Sequence, residues 1–286
     1  MSTIKINVLH TGEVCVSPYL PYGDGAGTLK AAGIGVKKED RLWLPVSAYL
    51  IEHPKGLFLY DTGWDRSMSP DGVFDKKAQI KSLGSRLLYE TNQGRVPAGQ
   101  AVGEQLAAMG ISPSDLDIVM ISHLDCDHAN GLPQVRGAKR IVVSADEMAF
   151  ANGGPAMNRV RYQDIWWKDS GIETFDWNGE EGPFGKSYDV LGDGSLVMVN
   201  IRGHADGQCA LKITGEDGRY VLLFADGGYS TRSWKEQIMP GICADPESMR
   251  KSLAWIRDMS EDPRCVESLA NHDSDVVPHT IELRSD

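Results

Sequence analysis

Four imidazole and carboxylate side chains crowd into the six-residue stretch HLDCDH, which runs from His123 to His128. It follows the continuous apolar run IVMIS, which is typical of a strand buried on both faces. Alternate positions of an extended turn face one way, so His123 and Asp125 can serve one ion, while the adjacent Asp127 and His128 serve another. Imidazole and carboxylate are the usual ligands of zinc, iron and manganese. A hydrogen-bonded loop without metal is the alternative that this stretch alone leaves open.

Three later segments repeat the pattern of a polar side chain placed where an apolar strand ends. VNIRGHADGQ contains His204, VLLFADGGY contains Asp226, and SLANHDSD contains His272. Side chains at strand-to-loop exits are free to point into a cleft, because loops at such exits commonly carry function. Three further exits of this kind favour a metal site over a set of unrelated loops.

The elements that must position these side chains alternate between strands and helices. LPVSAYLIE and GLFLYDTG, separated by the turn HPKG, predict a hairpin. Residues 99–110 predict a helix that ends at Gly110, and a second helix begins at Ser144, with Glu147 completing a capping box. Strands return in SLVMVNI, CALKITG and RYVLLFAD, before a helix near 246–259 and a short strand near 265–269. The order suggests two packed sheets with helices outside.

Composition excludes several classes of partner. The 286-residue chain has 29 Lys and Arg against 40 Asp and Glu, a formal net charge of −11, which argues against nucleic acid as the main partner. No apolar run approaches the ~20 residues of a membrane span, and the N-terminus lacks the pattern of a signal peptide, so we expect a cytoplasmic protein without a membrane partner. The five scattered cysteines predict reduced, mostly buried thiols.

The motifs resemble those of a known family. HLDCDH is similar to the H-x-H-x-D-H signature of the metallo-β-lactamase superfamily, and DTGW, GHADG, FADGGY and NHD resemble its other signatures in the same order. The resemblance extends from about residue 4 to 280. Within the superfamily the chain most resembles the N-acyl-homoserine lactone lactonases, because LPVSAYLIEHPKGLFLYDTGW is similar to their opening hairpin. The spacing from Asp226 to Tyr229 is similar to their Asp-x-x-Tyr.

This resemblance implies an α+β fold, a four-layer αββα sandwich, formed by a single domain over residues 1–286 with an irregular, pocket-flanking insertion near 152–190. It also implies two divalent metal ions, zinc in the first instance. The matching positions assign His123 and His204 to the first metal, Asp127, His128 and His272 to the second, Asp226 to a bridge between them, and Asp61 to a buried residue that orients ligands.

The chain departs from the family pattern at Asp125, where the family usually has histidine. Asp125 could ligate the first metal, which would make the site more anionic and favour manganese or iron. It could instead fail to reach, leaving the first metal weakly bound and one ion to do the work, or it could support a neighbouring ligand through water. We favour ligation, because a buried carboxylate beside a metal is best satisfied by binding it.

The resulting hypothesis is a hydrolase of a small lactone, in which a metal-bridged hydroxide attacks the ester carbonyl. Tyr229 would stabilise the developing oxyanion, and Asp127 would pass the proton to the leaving alkoxide. The loop at 17–35 and three aromatic residues could wall an acyl pocket, although plain packing explains the aromatics equally well: Tyr162, Trp166 and Trp167. Cys126 is expected to be a small buried side chain rather than a ligand.

Two alternatives stay open from the sequence. A thioesterase of the glyoxalase II kind, or another ester hydrolase, would share the metals but would not need Tyr229. A sensor that binds metal or lactone, impaired in catalysis by Asp125, is the non-enzymatic alternative. The expected partner is a small lactone or ester in each enzymatic case. The sequence leaves open whether the chain forms a homodimer.

Overall fold

The computed structural model describes residues 3–23 and 25–284; residues 1, 2, 24, 285 and 286 lie outside it, including one position of the predicted pocket loop at 17–35. The described chain forms two mixed sheets. The strands are β1 (Thr3–Val16), β2 (Leu42–His53), β3 (Gly56–Tyr60), β4 (Gln93–Arg95), β5 (Ile118–Met120), β6 (Ile141–Ser144), β7 (Glu173–Phe175), β8 (Ser187–Asp189), β9 (Leu196–Asn200), β10 (Cys209–Thr214), β11 (Tyr220–Leu223), β12 (Cys265–Leu269) and β13 (Thr280–Arg284).

Helices connect and cover the strands. The α-helices are α1 (Thr28–Ala31), α2 (Lys76–Leu83), α3 (Arg86–Thr91), α4 (Val102–Ala108), α5 (Cys126–Ala129), α6 (Ala145–Gly153), α7 (Asn158–Arg161), α8 (Thr231–Glu236) and α9 (Pro246–Glu261). Short 3-10 turns occupy Lys38–Asp40, Arg66–Met68, Pro70–Gly72, Pro113–Asp115, Leu132–Val135, Asp164–Trp166 and Ala225–Gly227. Among the described helices, none is long and apolar enough to cross a membrane.

The sheets stack face to face with helices on both outer surfaces. The first sheet has the order β13-β1-β2-β3-β5-β6-β7, with β4 beside β1, and the second has the order β12-β11-β10-β9-β8. One apolar cluster fills the space between the sheets, a second joins the first sheet to α2, α3 and α4, and a third joins the second sheet to α8 and α9. These are the four layers of an αββα sandwich, so the predicted fold class is confirmed.

Several predicted elements are present with small differences in their bounds. The hairpin is formed by β2 and β3, the helix at 99–110 is α4, and Gly110 follows it with a φ of 75°. The long strand β1 continues through an irregularity between His10 and Glu13, where its register against β2 shifts. The elements α2, α3 and β13 were not predicted, because their apolar residues are few and are buried only by tertiary packing.

The strand exits meet at one edge of the sandwich. Parallel strands β3 and β5 end just before Asp61 and His123, and parallel strands β11 and β12 end just before Asp226 and His272. The backbone joins the sheets at this edge, where Cys209 N–H donates to the carbonyl of Ser122 over 3.0 Å. Because four exits converge here, side chains far apart in sequence become neighbours. The single-domain assignment and the insertion near 152–190 stay predictions.

Candidate metal centre

Three sets of side chains bring possible ligand atoms together at this edge. In each set one donor atom per residue lies within 4.8 Å of the others: His123, Asp125 and His204; His123, His128 and Asp226; and Asp127, His128 and His272. The structure therefore brings together all seven residues that the sequence predicted as metal ligands. We call the surroundings of His123, Asp125 and His204 the first position and those of Asp127, His128 and His272 the second position.

Asp226 lies between the two positions and presents one oxygen to each. Its Oδ1 lies 3.3 Å from His128 Nε2 and 3.2 Å from His272 Nε2, whereas its Oδ2 lies 3.6 Å from His204 Nε2. Ligand atoms bound tetrahedrally at about 2.0–2.1 Å from one ion are about 3.4 Å apart. These separations are those of a carboxylate that could bridge two ions.

The donor atoms themselves indicate that the centre fits divalent cations. Among the described residues, His123 Nε2, His128 Nε2 and Asp226 Oδ1 are buried without a hydrogen-bond partner. Buried polar atoms normally have a partner, and the cost of leaving three without one is high. Imidazole nitrogens and a carboxylate oxygen that converge in this way are the ligands that zinc and similar ions prefer.

Asp61 determines how His128 is oriented. Its Oδ2 lies 2.8 Å from His128 Nδ1 and also accepts from Ser122 Oγ and from Asn271 Nδ2, while its Oδ1 accepts from Ser122 N–H. A carboxylate only accepts, so His128 Nδ1 carries the proton and its Nε2 is left facing the ion positions. Asp61 itself lies behind the histidine, as the sequence predicted, and adopts a left-handed φ of 59°.

His272 and His123 present the same ring nitrogen to the ion positions as His128 does. His272 Nδ1 lies 2.8 Å from the carbonyl oxygen of Pro45, which can only accept. Ser122 Oγ gives its proton to Asp61, so it accepts from His123 Nδ1 over 3.0 Å. In each of these rings Nε2 is therefore the nitrogen that faces the ion positions.

Protonation at the centre is governed by burial and by the carboxylates. Burial, together with neighbouring His128, lowers the pKa of His123 to about 4, so His123 is neutral at neutral pH. Burial would also lower the pKa of His128 and of His272, but nearby Asp226 helps to raise both above the usual value. A divalent ion must displace those protons, so we expect metal binding to release protons and to weaken as pH falls.

Arg161 is a residue of the centre that the sequence analysis missed. It is the last residue of α7. Its guanidinium donates to both oxygens of Asp125, from Nε to Oδ1 and from Nη2 to Oδ2, each over 2.6 Å. Burial alone would raise the pKa of Asp125, but Arg161 helps to hold it well below its usual range. The Arg161 cation offsets the negative charge of Asp125, on which the expected preference for manganese or iron depended.

Glu147 braces the loops that carry two of the histidines. Ser144 caps α6 as predicted, but the Glu147 carboxylate does not close the capping box. Its Oε1 accepts from Leu124 N–H over 2.9 Å, and its Oε2 accepts from Gly207 N–H over 3.2 Å. Leu124 follows His123, and Gly207 lies three residues after His204, so the buried Glu147 side chain connects both loops. Burial raises the pKa of the Glu147 carboxyl to about 7.

Replacing Glu147 with glutamine is expected to lower the free energy of unfolding by about 1–3 kcal/mol, because an amide nitrogen cannot accept from a backbone N–H. Chemical denaturation of the metal-free protein measures the change. The exposed Glu39→Gln is the matched control and should leave stability unchanged. Equal stability of the two variants would contradict the bracing role.

Tyr229 contacts two histidines of the centre, and Cys126 is buried. The Tyr229 ring stacks on the His272 ring with centroids 5.4 Å apart and meets the His204 ring edge-on at 6.5 Å. Cys126 is buried in the apolar cluster under the first sheet. All five cysteines, each within the described residues, are free thiols, and three are fully buried.

The three aromatic residues predicted to wall a pocket are buried in the cluster that backs the first sheet. Tyr162 packs edge-on against Phe150. Trp166 donates from Nε1 to the carbonyl of Ser82 and lines a cavity of about 350 Å³ that also includes Asn130. Packing accounts for these contacts, and a role of Tyr162, Trp166 or Trp167 in substrate binding stays a prediction.

The family follows from comparison with known proteins. The family model described as the metallo-beta-lactamase superfamily matches residues 41–263, most of the chain. The chain belongs to the metallo-β-lactamase superfamily. The predicted family is thus confirmed, and the centre described above occupies the strand exits that carry the superfamily motifs.

Relatives within the superfamily include lactonases. The N-acyl homoserine lactonase AttM of Azorhizobium caulinodans is 27% identical over 247 residues, covering 82% of this chain and 84% of that protein. A solved N-acyl homoserine lactone hydrolase, with N-hexanoyl-L-homoserine bound at its catalytic metal center, has a TM-score of 0.72 at 21% identity and covers 96% of this chain and 95% of its own. AidC, a dizinc quorum-quenching lactonase, has a TM-score of 0.63 at 13% identity, with 95% and 88% covered. Both solved structures share the fold of this chain.

Proposed function

We propose that this protein is a metal-dependent hydrolase that opens a small lactone of the N-acyl-homoserine lactone kind. The observation that carries the proposal is the placement of Asp226, which presents one oxygen to each ion position, with Tyr229 three residues later stacked on a histidine of the second position. The names of the curated relatives support the choice of substrate.

The residues of both positions would hold divalent ions, two in the full site. The second position would use Asp127, His128 and His272, with Asp226 shared, and the first would use His123 and His204 with Asp125 as a further ligand. When bound, such ions supply a water of lowered pKa and a Lewis acid for the ester carbonyl. Zinc is the ion that this mixture of imidazole and carboxylate favours.

Tyr229 is the proposed hydrogen-bond donor to the developing oxyanion. Burial and the neighbouring Asp226 raise the pKa of its phenol well above the usual value, so the hydroxyl keeps its proton at neutral pH. A neutral phenol beside the reacting carbonyl can donate a hydrogen bond that strengthens as negative charge develops.

Asp127 is the proposed proton carrier. Its Oδ2 lies 3.4 Å from His272 Nε2, and its carboxylate is mostly buried at the rim of the second position. In opening a lactone, the ring oxygen leaves as an alkoxide that stays attached to the product. Asp127 would take a proton from the attacking water and deliver it to that alkoxide.

The predicted pocket loop reaches the region of Tyr229. Tyr22 OH lies 2.9 Å from Ser230 Oγ, and Gly23 N–H donates to the carbonyl of Met239. These contacts hold the described part of the 17–35 loop beside the proposed oxyanion donor. This location supports its role as one wall of the acyl pocket.

The direct test uses purified, zinc-loaded protein and homoserine lactones of several acyl lengths, with proton release followed at constant pH. We expect ring opening that disappears when the metal is chelated and returns when it is restored. Loaded protein that turns over no lactone but does cleave simple esters or thioesters would replace the lactonase with another hydrolase. Loaded protein that cleaves none of them would favour a sensor.

Replacing Tyr229 with phenylalanine is expected to lower kcat/KM for lactones by about 100-fold, because one oxyanion donor is lost. Zinc content should stay unchanged, since the phenol is not among the proposed ligands. A glyoxalase II-like thioesterase would not need Tyr229, so thioester cleavage is the comparison. Lactone hydrolysis that is unaffected by the substitution would exclude the proposed role.

A further inference from the structure

Arg161 contacts the first position in a way that neither the motifs nor the proposed mechanism requires. Its Nη2 atom lies 2.7 Å from His204 Nε2 and 2.6 Å from Asp125 Oδ2. Those two atoms lie 2.8 Å from each other, and both belong to the set that would bind the first ion. His204 Nε2 therefore lies within hydrogen-bond distance of a guanidinium nitrogen, which only donates, and of a carboxylate oxygen, which only accepts.

We propose that Arg161 is an internal cation that competes with the first metal ion, so that the two positions bind unequally: one ion tightly at the second position, and another only weakly at the first. The inference rests on the proposed metal-dependent function and specifies how many ions that function uses. It gives Arg161 a positioning role, since it acts through Asp125 and His204.

The unequal hydrogen bonding of the candidate ligand atoms supports this difference. Around the second position, His128 Nε2 and Asp226 Oδ1 have no hydrogen-bond partner among the described residues. At the first position, His123 Nε2 likewise has no partner, but Asp125 has both oxygens bonded to Arg161, and His204 Nε2 lies 2.7 Å from Arg161 and 2.8 Å from Asp125. An ion at the second position would therefore bind ligand atoms that have no other partner. An ion at the first position would have to break the hydrogen bonds between Asp125 and Arg161.

The guanidinium is held in place by more than Asp125. Its Nη1 atom donates to the His204 carbonyl over 3.2 Å. The guanidinium also lies over the Tyr162 ring, 5.0 Å from the ring centroid. The Asp125 and Arg161 side chains are 14% and 19% exposed, so little water screens the pair. A bidentate, partly buried pair of this kind is among the stronger charged contacts in proteins.

Charge gives the same ranking of the two positions. Asp125, Asp127 and Asp226 supply three negative charges, and Arg161 cancels one of them at the first position. A divalent ion placed there would lie beside a fixed guanidinium as well as two imidazoles. Repulsion between the cations lowers affinity at the first position above all, because Arg161 directly contacts Asp125 and His204 there.

The test is a stepwise zinc titration of metal-free protein in competition with a chelating indicator, checked by metal analysis after dialysis. The parent should bind one equivalent about 10- to 100-fold more tightly than the next, which is the range for groups that contact metal ligands. Arg161→Met should tighten the weaker equivalent by a similar factor, because Asp125 and His204 become free to bind. The exposed Arg159→Met on the same helix is the matched control and should behave as the parent.

Two equally tight equivalents in the parent would overturn the inference without any variant, so it stays testable even if Arg161→Met does not fold. An unchanged or weaker second equivalent in folded Arg161→Met would also overturn it. Unequal binding without turnover of any lactone would support the inference and sink the proposed function, whereas equal binding with turnover would do the reverse. Cobalt titrated in place of zinc gives an independent optical readout of the same two steps.

Discussion

Asp226→Ala is expected to lower the lactonase kcat/KM by about a thousandfold or more. One carboxylate faces the histidines of both ion positions, so its removal weakens both at once. Burial alone would raise the pKa of Asp226, but neighbouring His272 and His128 hold it well below the usual range, so it is a permanent anion between the two positions. A thousandfold loss corresponds to about 4 kcal/mol of lost transition-state stabilisation. Bound metal ions supply several kcal/mol of such stabilisation.

The matched control is Asp206→Ala, which removes an exposed carboxylate from the loop that follows His204 but lies outside the three candidate ligand sets. Its activity and zinc content should equal those of the parent. Zinc analysis separates the causes of any loss: Asp226→Ala should retain less than the parent's zinc after dialysis. Full activity in Asp226→Ala would refute the proposed metal centre altogether.

Asp61→Asn is the second large effect that we expect. The Asp61 carboxylate accepts from four donors on three residues, including His128 Nδ1. An asparagine presents a donor on one side, so in either orientation at least one donor loses its partner. We expect zinc affinity to fall by about 10- to 100-fold and the free energy of unfolding to fall by about 1–3 kcal/mol.

Asparagine is the informative replacement because it tolerates the left-handed backbone of Asp61 as well as aspartate does. The control is Asp71→Asn, which makes the same change at an exposed residue with a similar φ of 55°. Zinc affinity is read by competition and stability by denaturation of the metal-free form. If Asp61→Asn binds zinc as the parent does, the carboxylate does not orient His128 as described.

The sequence determined the family, the fold class and the identity of the clustered residues. HLDCDH, His204, Asp226 and His272 could be selected because each follows a short apolar run, and apolar runs of this length predict buried strands whose ends lie at the surface. The structure then brought them to one edge of the sandwich. Their roles as ligands are proposals that the variants above test.

Only the tertiary structure revealed what Asp125 contacts. A buried carboxylate needs a counter-charge, and from the sequence any of the 29 lysines and arginines could have supplied it. Arg161 lies 36 residues away in an irregular segment without a periodic pattern, and its pairing depends on how α7 packs beside the first position. Glu147 was likewise visible only as part of a local cap, whereas its carboxylate reaches two loops that are distant in sequence. Strand patterns depend on spacing within the chain, so sequence carries them, but pairing of buried charges depends on distances that exist only after folding.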